Sequence, residues 1–117
     1  MTHRVLVTGA AGYLGSSLVR SLAERAARDG DPACIVAGDV REVPAERRLP
    51  GVEYAVSDVR EPGLDIVLAR HSIDTVVHLA AIVTQGPKSN RELEYAVEVL
   101  GTRNVLEACV AAGVRRI

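Results

Sequence analysis

The chain has 117 residues, enough for one domain with a modest core, and its 14 Lys and Arg nearly balance 15 Asp and Glu, so no polyanionic partner is implied. Three Tyr with no Phe or Trp offer no stacking platform for single-stranded nucleic acid. No apolar run reaches the roughly twenty residues of a membrane span, and the N-terminus lacks a signal-peptide pattern.

Residues 2–8 read as a first strand, with Val5, Leu6 and Val7 as its buried run. Gly9, Gly12 and Gly15 follow at a spacing of three. A helix is predicted over 12–28, because Leu14, Leu18, Leu22 and Ala26 recur every fourth residue. Asp29-Gly30-Asp31-Pro32 stops it. Residues 34–38 form a second buried strand with Asp39 at its C-terminal end. Residues 41–50, with Pro44 and Pro50, read as a surface loop holding at most one helical turn. A short third strand covers 52–56, followed by Ser57-Asp58-Val59-Arg60. A helix over 61–71 places Pro62 in its first turn and Leu64, Val67 and Leu68 on one face. Residues 74–79 are a fourth strand and 80–88 a loop. A long helix spans 89–112, with Leu93, Ala96, Val97 and Leu100 as its inward face and Gly113 as its C-terminal cap. Residues 114–117 begin a fifth strand.

Strands alternating with helices predict a single α/β domain over 1–117, a parallel Rossmann-type sheet with helices on both faces. Right-handed crossovers favour the strand order 3-2-1-4-5, truncated at the fifth strand. Ligands in such sheets sit outside the C-terminal strand ends, where the order reverses. Gly9, Asp39, Asp58 and Ala80 all follow strands, so they are expected on one rim although scattered in sequence.

The strand, glycine turn and helix make a phosphate cradle. The turn needs a residue without Cβ. The first helical turn has unpaired N–H groups and the positive end of the helix dipole, both of which a pyrophosphate satisfies. At Gly15 a missing side chain would let the helix lie close against a strand. The alternative is an ordinary tight strand-to-helix turn, since G-x-x-G-x-x-G departs from the basic G-x-G-x-x-G dinucleotide pattern. Asp39 stands 24 positions after Gly15, close to the interval of about 20 for an acid that holds the adenosine ribose. Its carboxylate would accept from both ribose hydroxyls and repel a 2′-phosphate, which favours NAD over NADP; Arg41, two residues on, argues the other way. Asp58 is either an acceptor for the adenine amino group, with Val59 as an apolar wall, or the initiator of a turn before Pro62. Leu79-Ala80-Ala81 offers small residues where backbone passes a ligand. His78 reads as a satisfied core or edge histidine, and His3 and His71 show no partner spacing. Cys34 and Cys109 lack metal-ligand spacing and read as free, half-buried thiols of a reducing cytoplasm. Arg47-Arg48 and Arg115-Arg116 read as solvated pairs.

Four ordered segments carry a family resemblance across essentially the whole chain. Thr8-Gly9-Ala10-Ala11-Gly12-Tyr13-Leu14-Gly15 resembles the T-G-x-x-G-x-x-G motif of extended short-chain dehydrogenases/reductases, the group that holds NAD-dependent epimerases and dehydratases. Asp58-Val59-Arg60 resembles its adenine segment, His78-Leu79-Ala80-Ala81 its H-x-A-A segment, and the stretch from Gly101 through Thr102 and Asn104 to Ala108 its G-T-x-N-[VL]-L-E-A helix. The resemblance implies that Gly9, Gly12, Tyr13, Leu14 and Gly15 hold the pyrophosphate, Asp39 the ribose, and Asp58 with Val59 the adenine. Leu79, Ala80 and Ala81 would pass beside the cofactor toward the nicotinamide. Where the family often has Asn before V-x-G-T, this chain has Glu98, to which no role is assigned.

In that family a Ser or Thr after the fifth strand and a Tyr-x-x-x-Lys pair carry the chemistry. Neither can be placed here: Tyr95 is followed four residues on by Val99, and Tyr54 by Asp58. The expectation is therefore the N-terminal half of a longer enzyme acting on a nucleotide-sugar-like substrate, with no catalytic residue and no metal site in this chain. The chain itself is expected to be inactive. The parent is expected to be a cytoplasmic homodimer, pairing through the long helix, without nucleic-acid or membrane partners. The alternatives are a non-catalytic NAD(P)-sensing module and an α/β domain whose glycines are purely structural.

Overall fold

A computed structural model of the chain describes residues 2–82 and 90–117. Ser89 and most of the expected loop over 80–88 lie outside that description. Four strands, β1 (Arg4–Thr8), β2 (Cys34–Asp39), β3 (Glu53–Val56) and β4 (Thr75–His78), pair in parallel in the order 3-2-1-4. The expected fifth strand is present as one parallel bridge, Thr75 to Arg116, on the outer side of β4; the Val76 N–H reaches the Arg116 carbonyl at 2.9 Å. Strand starts fall one or two residues inside the sequence reading, at Arg4, Glu53 and Thr75.

Both sheet faces are covered, which is why β1 reads as a continuous apolar run. Val5 and Val7 pack with Ala37 and with Val19 of helix α1 (Tyr13–Asp29) on one face. Leu6, Val36 and Val76 pack on the other with Leu64 and Leu68 of α2 (Leu64–Arg70) and with Val105, Ala108 and Cys109 of a long helix. The register sets Thr8 level with both Gly38 and His78. The residues just beyond these three therefore emerge together at one end of the sheet.

Helix α2 is shorter than expected. It begins at Leu64, because Gly63 has φ +102°, which no helical residue adopts, and Pro62 lies before the helix rather than in its first turn. The long helix comprises α3 (Arg91–Tyr95), a π-helical segment (Ala96–Gly101) and α4 (Thr102–Ala112), with Gly113 as the cap. The π segment corrects the expected inward face. One extra residue per turn rotates the next turns of the helix by roughly 100° relative to an uninterrupted α-helix. Leu100 is consequently exposed and the buried stripe runs through Gly101, Val105, Ala108 and Cys109; Leu93, ahead of the π segment, is exposed as well. The loop over 41–50 holds the single short turn expected of it, Ala45–Arg47. Arg48 is not simply solvated: it lies 5.5 Å over the Tyr54 ring and donates to the Val43 carbonyl. Arg116 likewise approaches Asp74.

His3 has a partner that its spacing did not reveal. The Asp31 carboxylate accepts from the His3 backbone N–H and meets its ring Nδ1 at 3.0 Å. These bonds hold the Asp31 carboxyl below the ordinary carboxylate value, the His3 backbone N–H contributing most. A depressed folded value gives stability that is complete above the unfolded value of about 3.9 and lost as pH falls through the folded one. Thermal midpoints measured down an acid series should therefore fall less steeply below about pH 4 for Asp31→Asn than for the wild type. Parallel curves would contradict this assignment. Burial pushes both free thiols, Cys34 and Cys109, above the ordinary cysteine value, so neither is an activated nucleophile. Among the described residues no helix is long and apolar enough to cross a membrane.

Candidate functional site

The C-terminal strand ends open into a cavity of about 600 Å³. Its lining includes Gly9, Gly12, Tyr13, Leu14, Gly15, Asp39, Asp58, Val59, Leu79, Ala80 and Ala81, so every position singled out from the sequence lies on it. Val40, Arg41, Ser57, Arg60, Ile82, Leu93 and Val97 line it as well. Most of these seven are sequence neighbours of the singled-out residues. Leu93 and Val97 carried a different signal, an i, i+4 pair on a helix face, which sequence reasoning assigned to the core.

Glycine shapes the turn in two distinct ways. Gly9 has φ +68°, and a Cβ there would sit 2.8 Å from the Leu79 carbonyl group and the Ala80 nitrogen, so the turns after β1 and β4 touch backbone to backbone. Gly15 acts differently from the expectation. A Cβ there would meet the Gly9 carbonyl oxygen at 2.0 Å and the Ala10 Cα at 2.8 Å. Its missing side chain lets α1 pack against the turn itself, not against a strand. The N-terminus of α1 carries no side-chain cap and no acid in its first turn. The Gly12 N–H is taken by the Gly9 carbonyl at 3.1 Å, so the first-turn N–H groups suited to an anion are those from Tyr13 and Leu14 onward, whose residues line the cavity.

Asp39 is buried at 7 % exposure, yet its carboxylate stands beside this turn. One oxygen accepts from the Ala11 N–H at 2.9 Å and the other from the Arg41 N–H at 3.0 Å. The second oxygen also accepts from the Arg41 Nε–H, whereas the oxygen bonded to Ala11 keeps acceptor capacity beyond that bond. The Arg41 guanidinium lies 3.4 Å away and is largely exposed. Asp58 is held tightly within its own loop. Its carboxylate takes the Arg60 backbone N–H at 2.9 Å and the Arg60 guanidinium at 2.6 to 3.1 Å, and the Glu61 N–H donates to its carbonyl. The Arg60 side chain holds the Asp58 carboxyl below its usual range. The turn-initiating role thus exists in the structure, alongside a place on the cavity wall.

The long helix braces this rim. Asn104 donates to the carbonyls of Val59 and Glu61 at 2.7 and 2.9 Å, and Gly101 is so close to Val59 that a Cβ would meet its Cγ2 at 2.7 Å. The motif Gly101-Thr102-x-Asn104 therefore owes part of its composition to packing against the loop that carries Val59. Glu98 points its side chain to solvent. His78 is satisfied on both ring nitrogens by Thr8 and Thr102, as a core or edge histidine would be. Among the described residues no group of three or more His, Cys, Asp or Glu could hold a metal ion.

Residues 5–117 match the family model described as "NAD dependent epimerase/dehydratase family". The chain is 33 % identical over 107 residues to a D-erythronate dehydrogenase of Haemophilus influenzae, covering 91 % of this chain and 33 % of that protein. It is also 33 % identical over 115 residues to a UDP-glucose 4-epimerase of Halalkalibacterium halodurans, covering 97 % of this chain and 33 % of that one. Among solved structures, the Thermus thermophilus UDP-glucose 4-epimerase in complex with NAD superposes with a TM-score of 0.78 at 32 % identity, over 95 % of this chain and 35 % of that one. The chain thus spans about a third of the length of the curated relatives it matches.

Proposed function

The chain belongs to the NAD-dependent epimerase/dehydratase family, and from that premise we propose that it is the cofactor-binding part of an oxidoreductase that uses NAD in preference to NADP. The observation that carries this reading is the Asp39 carboxylate, 2.9 Å from the Ala11 N–H on the same cavity as the uncapped end of α1. A dinucleotide laid there has its pyrophosphate on the first turn of α1 at Gly12, Tyr13 and Leu14, with Gly9 and Gly15 keeping that turn compact. Its adenosine ribose meets the free acceptor capacity of Asp39. Its adenine lies between Val59 and the Asp58 loop, and its nicotinamide half extends past Leu79, Ala80 and Ala81. A 2′-phosphate would meet the Asp39 carboxylate at close range, while Arg41 is already drawn to that carboxylate and offsets the repulsion only in part.

When bound, NAD supplies the hydride chemistry, and this chain orients it and excludes water from its adenosine half. The acid/base pair is assigned to the remainder of the parent, as a Tyr-x-x-x-Lys, and the chain alone turns nothing over. The two curated relatives are named for D-erythronate and for UDP-glucose. A UDP-glucose 4-epimerase stands among both the curated relatives and the solved structures, which supports a nucleotide-sugar-like substrate for the parent. The exposed Tyr95, Val99, Leu100 and Val110 on the long helix support a homodimeric parent that pairs through this helix.

Titration calorimetry of the chain with NAD and with NADP tests the assignment. Binding heat with NAD, and a weaker response with NADP, is the expected result. No heat from either dinucleotide would overturn it. The second reading, a non-catalytic NAD(P)-sensing module, is favoured if the coding sequence downstream of Ile117 lacks a Tyr-x-x-x-Lys.

A further inference from the structure

Thr8, His78 and Thr102 form a chain of hydrogen bonds whose direction is fixed by counting donors. The Thr8 hydroxyl owns one proton and accepts from the Leu79 N–H at 3.0 Å and the Ala80 N–H at 3.1 Å. Its proton therefore goes to its remaining partner among the described residues, His78 Nδ1, at 2.7 Å. Nδ1 accepts, so the neutral ring carries its hydrogen on Nε2. Nε2 lies 3.1 Å from the Thr102 hydroxyl oxygen, and that hydroxyl donates onward to the Glu98 carbonyl at 2.6 Å. Glu98 lies inside the π-helical segment and Thr102 opens α4. The chain thus begins at backbone that lines the cavity and ends on the irregular turn of the long helix.

We propose that His78 is a positioning residue: held as the neutral Nε2–H tautomer, it ties the Leu79–Ala80 backbone at the cavity rim to the π-helical segment of the long helix. The tie sets the cavity wall without touching the ligand. It works beside the second brace on the same helix, where Asn104 and Gly101 hold the Val59 loop. Two rim segments from different strands are therefore referenced to one helix. The reverse tautomer would aim Nδ1–H at the Thr8 hydroxyl, whose acceptor sites are already taken by two N–H groups. Burial of the ring pushes its pKa below the ordinary histidine value, which keeps it neutral at neutral pH. The consequence for ligand affinity rests on the proposed dinucleotide site; the tautomer does not.

Nitrogen NMR of the histidine-labelled chain at neutral pH reads the tautomer directly. The His78 ring should show a protonated Nε2 and a bare Nδ1. Thr102→Val keeps the branched shape and removes the hydroxyl. It should leave the tautomer that Thr8 fixes, shift the His78 Nε2–H signal as its acceptor is lost, and weaken NAD binding about three- to tenfold, the worth of one neutral hydrogen bond. Thr102→Ser should restore both. A His78 ring protonated on Nδ1 in the wild type, or a Thr102→Val chain with unchanged ring signals, would overturn the proposal. If NAD fails to bind the wild type while the ring still changes in Thr102→Val, the tie stands and the dinucleotide reading falls.

Discussion

Gly15→Ala should destabilise the chain by about 3 kcal/mol or more, near the upper end of what overpacking costs. Helix propensity alone predicts the opposite, since alanine is favoured over glycine inside a helix by about 1 kcal/mol. Steric conflict decides the sign. The added Cβ would stand 2.0 Å from the Gly9 carbonyl oxygen and 2.8 Å from the Ala10 Cα, and neither is a flexible side-chain end that can swing away. Relief requires either α1 to lift from the sheet or the turn after β1 to move. That turn cannot move freely, because Gly9 is itself against the Leu79 and Ala80 backbone and the Ala10 N–H is bonded to the Gly38 carbonyl. A thermal midpoint lower by roughly 10 °C or more is expected for a chain of this size. A variant as stable as the wild type would mean that the close approach of helix and turn is not real.

Asp39→Ala should weaken NAD binding by about ten- to a hundredfold, the range for losing hydrogen bonds to a charged group. The same change strips the Ala11 and Arg41 N–H groups of their acceptor, so part of any loss could come from a disturbed turn. A cycle separates the two effects. ADP-ribose and its 2′-deoxy analogue are titrated against the wild type and against Asp39→Asn, which keeps one acceptor oxygen. If the carboxylate grips the ribose, deleting the 2′-hydroxyl weakens binding to the wild type and has little further effect on the variant. Equal losses in both proteins would remove Asp39 from the ribose contact while leaving its part in the turn intact.

Leu6, Val36 and Val76 show why the sheet was legible: strands buried on both faces carry short apolar runs whatever their neighbours are. The α2 boundary was misread because Pro62 is tolerated in a first turn, and nothing local said that Gly63 would adopt a positive φ while Asp58 and Arg60 closed a turn of their own. The inward stripe of the long helix failed at Leu100 for a related reason. A periodicity argument assumes one turn size, and the π segment changes it; Gly101 at its end seats against Val59, a contact between residues 42 positions apart. The partners of His3, Asp31 and His78 were invisible in the same way, since all of them cross between elements.

Local chemistry alone determined the alternation of strand and helix, the glycine turn, and which residues follow strand ends. Those properties depend on backbone sterics and on apolar runs a few residues long, and both are written in consecutive positions. Tertiary structure alone decided that Gly15 seats a helix against a turn, that Asn104 holds the loop carrying Val59, and that one irregular helix references both walls of the cavity. Each of these is a distance between segments, set when the two faces of the sheet are packed, and no stretch of neighbouring residues carries it.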